Sequence, residues 1–567
     1  MKTEILGAIA IFLTSVVLAI PLGRYCARVF KEEKTSLDFL KSIEIFILKK
    51  WCGIDPSVSW DWKQNMKVML VLNLIFFLWA MLILLSQSFH PFWNPDGISS
   101  MEATTAFNTA ISFMTNTNLQ HYSGETGATY FTQLTVFCFL QFVSAGTGIA
   151  AMALLFKGIV QKQSHELGNF YHLFLKSCTR ILLPLSIVVA IILSLKGVPA
   201  TFKSADTIIT LEGDTVKVAR GPVAPMVAIK QIGTNGGGYF GPNSAHPFEN
   251  PDYFTNGVEN VSILLVPIAL IFAFGFYIGK PKVGYTFFGV MTVLFITFVS
   301  LSVYFEMQGN PLISKMGIDN SLGNMEGKEM RFGMAASSLW GISTTSTSNG
   351  SVNSMHDSHT ALSGGLFLLD MMINAIYGGV GVGFINFFVF VVIAVFISGL
   401  MVGRTPELFG KKIESKEVKI AAIVALAHPF FILTGTAIAA YASSKNPDLG
   451  WLNNPSYHGF SEMLYEFTSA AANNGSGFEG LGDATPFWNI ACGLVMILGR
   501  FIPIIGPLAI AGSLAGKKYI PESSGTLKIE NFAFSAVLIS VILIIAALSF
   551  FPALTVGPIA EYFRIGK

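Results

Sequence analysis

Apolar residues gather in ten long stretches of this chain, at about 5–22, 67–86, 131–156, 178–195, 260–278, 284–305, 384–402, 420–441, 488–515 and 532–551. A helix needs roughly 20 such residues to cross a bilayer. The stretches are too long for barrel strands, which leaves helices as the spanning elements. The pattern predicts an all-α polytopic membrane protein of about ten transmembrane helices. The first stretch lacks a basic leading segment and an Ala-x-Ala-like site, and Arg24 and Arg28 follow it. It reads as a retained helix rather than a signal peptide.

The connections fall into two kinds. Loops 24–67, 157–180, 280–282, 404–419 and 517–528 carry 23 of the 36 Lys and Arg residues. Basic residues concentrate on the cytoplasmic side, so these loops are expected inside and both termini outside. The opposite loops are longer. Each holds a moderately apolar segment too short to span, followed by a small polar cluster: "TNTNLQ" (115–120), "TNGGGYF" (234–240), "TSNGSV" (347–352) and "NNGSGF" (473–478). Asn116, Asn235, Asn349 and Asn474 are 119, 114 and 125 residues apart. This placement predicts a fourfold pseudo-repeat of helix, short pore half-helix, loop and helix. The expected units are 66–156, 172–280, 283–404 and 417–516, flanked by a first helix with its loop (1–65) and a last helix with its tail (528–567).

Composition agrees with the membrane reading. The 567 residues are 52% hydrophobic and only 12% charged, with mean hydropathy +0.59; a soluble domain is about 25% charged. A net charge of +2 gives no reason to expect nucleic acid. The five cysteines show no pairing or metal spacing and read as free thiols. "TIITLEGDTVKVA" (207–219) predicts a β-hairpin outside the membrane, and "NMEGKEMRFG" (324–333) a similar excursion.

Exposed backbone at membrane depth is tolerated where protein buries it or water reaches it. Four Gly-, Asn-, Ser- and Thr-rich loops converging on an axis would let carbonyls replace the hydration shell of a cation. No cluster has Asp or Glu in its central four residues. Neutral dipoles suit a weakly hydrated monovalent ion, potassium above sodium, whereas calcium and magnesium sites recruit carboxylates. The candidate ligands are Asn116, Thr117 and Asn118; Thr234, Asn235, Gly236 and Gly237; Ser348, Asn349 and Gly350; and Asn473, Asn474, Gly475 and Ser476. A phosphate-binding loop is excluded, because no G-x-x-x-x-G-K-[ST] run exists and "GSLAGKK" (512–518) lacks its spacing.

Arg500 lies within an apolar stretch, where charge is expensive and usually functional; the expectation is a cation below the filter. "YGGVGVGF" (377–384) opens the seventh span. Its Gly378, Gly379, Gly381 and Gly383 read either as close helix packing or as an unwound gate segment. "MHDSH" (355–359) reads as a polar loop, with no further metal ligand evident nearby. "HPFENP" (246–251) reads as a turn after the second cluster, and "GRTPELFGKK" (403–412) as an interfacial turn with ordinary basic charge.

The four clusters, with "NSAHPFENP", "GGVGVG" and "GLMVGRTPE", resemble the KdpA family end to end. The resemblance implies the potassium-binding subunit of a bacterial pump in the inner membrane, within a superfamily of four membrane-pore-membrane repeats. It implies a P-type ATPase partner (KdpB-like) that hydrolyses ATP, and KdpC-like and KdpF-like small subunits. Potassium would enter from outside and pass sideways through an intramembrane tunnel to the ATPase subunit. No cofactor is implied for this chain, and no D-K-T-G phosphorylation motif occurs in it. The same resemblance puts paired ligands at Asn116 and Thr117, Thr234 and Asn235, Ser348 and Asn349, and Asn473 and Asn474. It links Gln120 to affinity and Arg500 to the cation below the filter. Family members can carry Cys where Asn349 stands. The alternative is a stand-alone potassium channel or ion-coupled transporter of the same superfamily. A membrane enzyme would need clustered His, Cys or carboxylates within spans.

Overall fold

The computed structural model describes residues 2–90, 92–403, 405–521 and 528–565. Arg404, Lys567 and part of the 517–528 loop, which enter the expected orientation, lie outside the described residues.

Among the described residues, ten helices are long and apolar enough to cross a membrane: Thr3–Lys31, Trp62–Phe89, Tyr130–Val160, Phe170–Leu195, Tyr253–Tyr277, Pro281–Lys315, Val382–Met401, Ser415–Lys445, Pro486–Ala515 and Phe532–Ile565. They coincide with the ten predicted stretches and run past them at polar ends. The fourth begins at Phe170, not 178, and takes in Lys176, which is buried and meets Glu32 at 3.4 Å. Hydropathy alone does not register a charge that its partners neutralise. The third and fifth spans are buried almost all round, whereas the first, second, fourth, eighth and tenth turn much of their apolar surface outward. Leu6, Leu13, Val17, Leu78, Leu82 and Leu548 are exposed, as expected where the surrounding medium is hydrocarbon.

Four short helices precede the polar clusters: Ala103–Met114, Val223–Ile232, Met334–Ser346 and Tyr457–Ala472. A fifth, Ala361–Ile373, was not anticipated from the sequence. It ends at Asn374, in the left-handed region at φ 48°, and the chain resumes as a helix only at Val382. The predicted seventh span is thus the second half of a broken membrane element.

Strands Asp206–Ile209 and Thr215–Val218 form the expected antiparallel hairpin. The segment 324–333 does not form one. Its Asn324 and Lys328 are drawn to buried Glu306 at 2.9 and 2.8 Å, leaving a single bridge from Lys328 to Ser354. Glu407–Leu408 pairs with Lys411–Lys412 in a two-residue ladder. Lys411 is buried and donates to the Gly158 carbonyl at 3.0 Å, so it is not ordinary interfacial charge. All five cysteines are free.

Candidate functional site

The four short helices end in one kind of turn. The backbone N–H groups of Thr117, Asn235, Asn349 and Asn474 donate to carbonyls five residues back, at Ser112 (2.9 Å), Lys230 (2.9 Å), Thr344 (3.0 Å) and Ser469 (2.9 Å). The preceding residues, Asn116, Thr234, Ser348 and Asn473, are left-handed, with φ of 63°, 46°, 47° and 51°. A left-handed residue closed by this bond is the Schellman way of ending a helix. Such a conformation costs about 1–3 kcal/mol at a non-glycine residue and persists only where its surroundings enforce it.

The shared turn sets the register. Asn116 corresponds to Thr234, Ser348 and Asn473. Thr117 therefore occupies the place held elsewhere by Asn235, Asn349 and Asn474. The spacing from Asn116 to Asn235 is one residue out of step, because "TNTN" carries asparagine on both sides of the threonine. The next position is Asn118, Gly236, Gly350 and Gly475. Asn118, Gly236 and Gly475 have positive φ (57°, 90° and 101°), and asparagine tolerates that region better than most side chains.

These positions touch one another in a circuit. A Cβ on Gly236 would collide with the backbone nitrogen of Gly350. On Gly350 it would lie 2.6 Å from the Gly475 carbonyl carbon, and on Gly475 it would strike the Thr117 carbonyl oxygen. On Gly237 it would meet Asn118 Nδ2 at 2.7 Å. The contacts run from the second loop to the third, the fourth, the first and back to the second.

Most of the asparagine amides staple neighbouring loops. Asn116 Nδ2 donates to the Thr234 carbonyl at 3.0 Å, and Asn235 Nδ2 to Asn116 Oδ1 at 2.7 Å. Asn349 Nδ2 donates to Gln231 Oε1 at 3.1 Å, Asn474 Nδ2 to the Thr344 carbonyl at 2.9 Å, and Asn473 Nδ2 to Thr117 Oγ1 at 2.9 Å. Asn474 Oδ1 accepts from Ser476 Oγ at 2.6 Å. Gln120 ties the first loop to the second: Nε2 donates to the Gly238 carbonyl (3.0 Å), and Oε1 accepts from the Gly238 N–H (2.8 Å). Both polar atoms of Asn118 and the Oδ1 of Asn235 are buried without a partner among the described residues. Buried unsatisfied groups are rare in native structures and point to an absent ligand or water.

The glycine-rich break lies against two of these loops. Val380 N–H donates to Thr234 Oγ1 at 2.9 Å, Gly378 N–H to the Ser346 carbonyl at 2.7 Å, and Gly379 faces Ser348. Gly378 and Gly383 approach each other too closely for a Cβ on either, and a Cβ on Gly381 would strike the Gly148 carbonyl. The segment is unwound and also closely packed. Arg500 is buried, and its Nη2 donates to the Ser144 carbonyl at 3.1 Å. The Ser144 hydroxyl donates to Asn116 Oδ1 at 2.8 Å, which connects the cation to the first loop.

A family model for the potassium-transporting ATPase A subunit, KdpA, matches residues 9–563. The chain belongs to the KdpA family. It is similar to the potassium-transporting ATPase potassium-binding subunit of Flavobacterium psychrophilum, at 58% identity over 575 residues and all of both chains. It resembles the subunit of that name from Parabacteroides distasonis at 56% over 570 residues, again all of both chains. The Alicyclobacillus acidocaldarius subunit is 46% identical over 564 residues, 99% of each chain.

In this KdpA-family chain the sequence reading passed over an ionic brace behind the second loop. Lys230 is wholly buried and paired with buried Glu249. Its Nζ also donates to Asn243 Oδ1 and Ser244 Oγ, each at 2.7 Å. The Asn243 amide donates in turn to the Gly236 carbonyl at 2.6 Å, and Glu249 accepts the Phe240 N–H at 2.9 Å. "HPFENP" therefore buttresses the loop through its buried Glu249, with His246 stacked on Phe240 at 3.8 Å. Behind the third loop, buried Asp370 accepts from Thr345 Oγ1 at 2.7 Å and Ser346 Oγ at 2.6 Å. Lone charges at Lys230 and Asp370, each in a short apolar segment, were the available sequence signal.

Proposed function

We propose that this chain is the potassium-selective subunit of an ATP-driven potassium uptake pump in the bacterial inner membrane. The reading draws on family membership and on relatives named as potassium-binding subunits of a potassium-transporting ATPase. The observation that carries the site is the closed circuit Gly236–Gly350–Gly475–Thr117–Asn118–Gly237, built on four like helix-ending turns. Because the amides of Asn116, Asn349, Asn473 and Asn474 hold loop to loop, the backbone carbonyls around the circuit are the ion's main ligands. Asn118 and the free Oδ1 of Asn235 supplement them. Four short helices with like endings also support the fourfold pseudo-repeat, and the basic residues of the short loops support a filter facing outward and both termini outside.

Potassium is the cargo. It sheds water at the circuit, where neutral oxygens substitute for its hydration shell at little electrostatic cost. The Gly378–Gly383 break gates the path on leaving the filter. Arg500 disfavours a straight run to the cytoplasm by charge repulsion and turns the ion sideways, through a tunnel, to a P-type ATPase subunit accompanied by KdpC-like and KdpF-like subunits. ATP is hydrolysed by that partner, not here.

The test is ATPase activity of the intact complex against potassium, rubidium and sodium, with Gly236→Asp. Loss of discrimination among the ions supports the filter. Unchanged ion dependence would sink it. A stand-alone channel or ion-coupled transporter predicts instead that no large phosphorylatable chain co-purifies.

A further inference from the structure

The motif "MHDSH" has no additional ligand near it in sequence, but the fold brings several from far away. His458, at the start of Tyr457–Ala472, meets Asp357 Oδ1 through Nε2 at 2.7 Å and Glu561 Oε1 through Nδ1 at 2.8 Å. One turn further on, Glu462 Oε1 accepts from Asn454 Nδ2 at 2.9 Å. The same amide reaches Asp357 Oδ2 at 3.4 Å. One ligand atom from each of Asp357, His458 and Glu462 lies within 4.8 Å of the others.

Three further features set this group apart from a plain acidic cluster. Glu462 is fully buried, and its Oε2 has no hydrogen-bond partner among the described residues; a buried acceptor left so costs about 1–3 kcal/mol or more. Gly480 keeps the space between the carboxylates clear, since a Cβ there would run into Glu462 Oε1 and lie 2.6 Å from Asp357 Oδ2. Asp357, His458 and Glu561 also line a cavity of about 800 Å³, which offers an entry path.

We propose that Asp357, His458 and Glu462 form a site for one divalent cation of the zinc or manganese class, entered from this cavity. The mixed set of one imidazole and two carboxylates decides the class, because imidazole favours borderline metals over calcium or magnesium. His458 binds through Nε2. Its Nδ1–H is held by Glu561, the carboxylate–histidine–metal arrangement that fixes a ligating ring. Solvent from the cavity completes the coordination, as in other sites with three protein ligands. The ion ties the segment after the third loop to the fourth pore helix, and through Glu561 to the last span. This site is independent of the potassium reading, since none of its residues belongs to the circuit.

The experiment uses the full chain purified from membranes with whatever subunits accompany it, stripped with chelator. Bound metal per chain and thermal unfolding are measured with zinc, manganese, calcium and magnesium. The expected result is one saturable zinc or manganese ion per chain and a higher melting temperature. Glu561→Gln should weaken binding by about tenfold, and Glu462→Gln and His458→Gln, which remove ligands outright, each by more than that. Absence of saturable binding, preference for calcium or magnesium, or unchanged zinc affinity in these variants overturns the proposal. Asp357→Asn keeps the test decisive should Glu462→Gln fail to fold.

Discussion

Gly236 and Gly350 stand so close that a Cβ on the first would collide with the backbone nitrogen of the second. Two loops more than a hundred residues apart in sequence thus meet backbone to backbone. Glycine at 236 is needed twice over, for this approach and for φ of 90°.

The two requirements separate by mutation. Gly213 also has positive φ (93°), but nothing lies within 4 Å of its would-be Cβ. Gly213→Ala should cost about 1 kcal/mol of stability and leave ion selectivity intact. Gly236→Ala, Gly350→Ala and Gly475→Ala should each reduce the potassium-over-sodium ratio by about tenfold or more, since 1.4 kcal/mol of misfit suffices. Equal selectivity in all four variants would show that the circuit does not touch the ion.

The Lys230–Glu249 pair is wholly buried. Glu249→Gln strands the lysine charge and should destabilise the protein by about 3–5 kcal/mol. Replacing both residues together, Lys230→Met with Glu249→Leu, should cost less than the single change. Denaturation midpoints check this. Potassium affinity should fall in both variants, because Asn243 loses its anchor and no longer fixes the Gly236 carbonyl.

Arg500→Gln removes a charge while keeping an amide that reaches toward the Ser144 carbonyl. The fold should survive. Potassium affinity and the ions moved per ATP should change, measured by flux and hydrolysis in proteoliposomes. Unaltered coupling would reduce Arg500 to a packing residue.

His121, just past Gln120, meets Glu466 at 2.9 Å and Asn489 Oδ1 at 2.7 Å. Burial works against its charged form, but the nearby Asp483 charge and the bond to Glu466 outweigh this and raise it from 6.5 to about 9. The stabilisation is complete below pH 6.5 and disappears as pH rises through about 9. Melting temperature should therefore fall more steeply between these pH values in the native protein than in His121→Gln. Parallel profiles would exclude His121 as the titrating group.

The ten spans and the four short helices before the polar clusters were legible because hydrophobic length and polar punctuation are local signals. The broken seventh span was not. Its first half, Ala361–Ile373, is too short to register as a crossing, and Asp370 interrupts it. The candidate residues are legible as types, but not in their mutual contacts. Sequence shows that asparagines recur; only the fold shows that the Asn474 side chain reaches Thr344 while that of Asn118 has no partner among the described residues. Ion-paired Lys230, Glu249 and Glu306 escaped notice because each is a lone charge until its partner, distant along the chain or hidden behind a turn, is placed beside it.

Asn118 stands where the other three loops carry glycine. A pore assembled from four identical chains must change all its quarters at once, so every mutation there is multiplied by four. Here each quarter is inherited separately. One can acquire an amide while the others remain bare, and natural variation can adjust the proposed ion site in single, small steps.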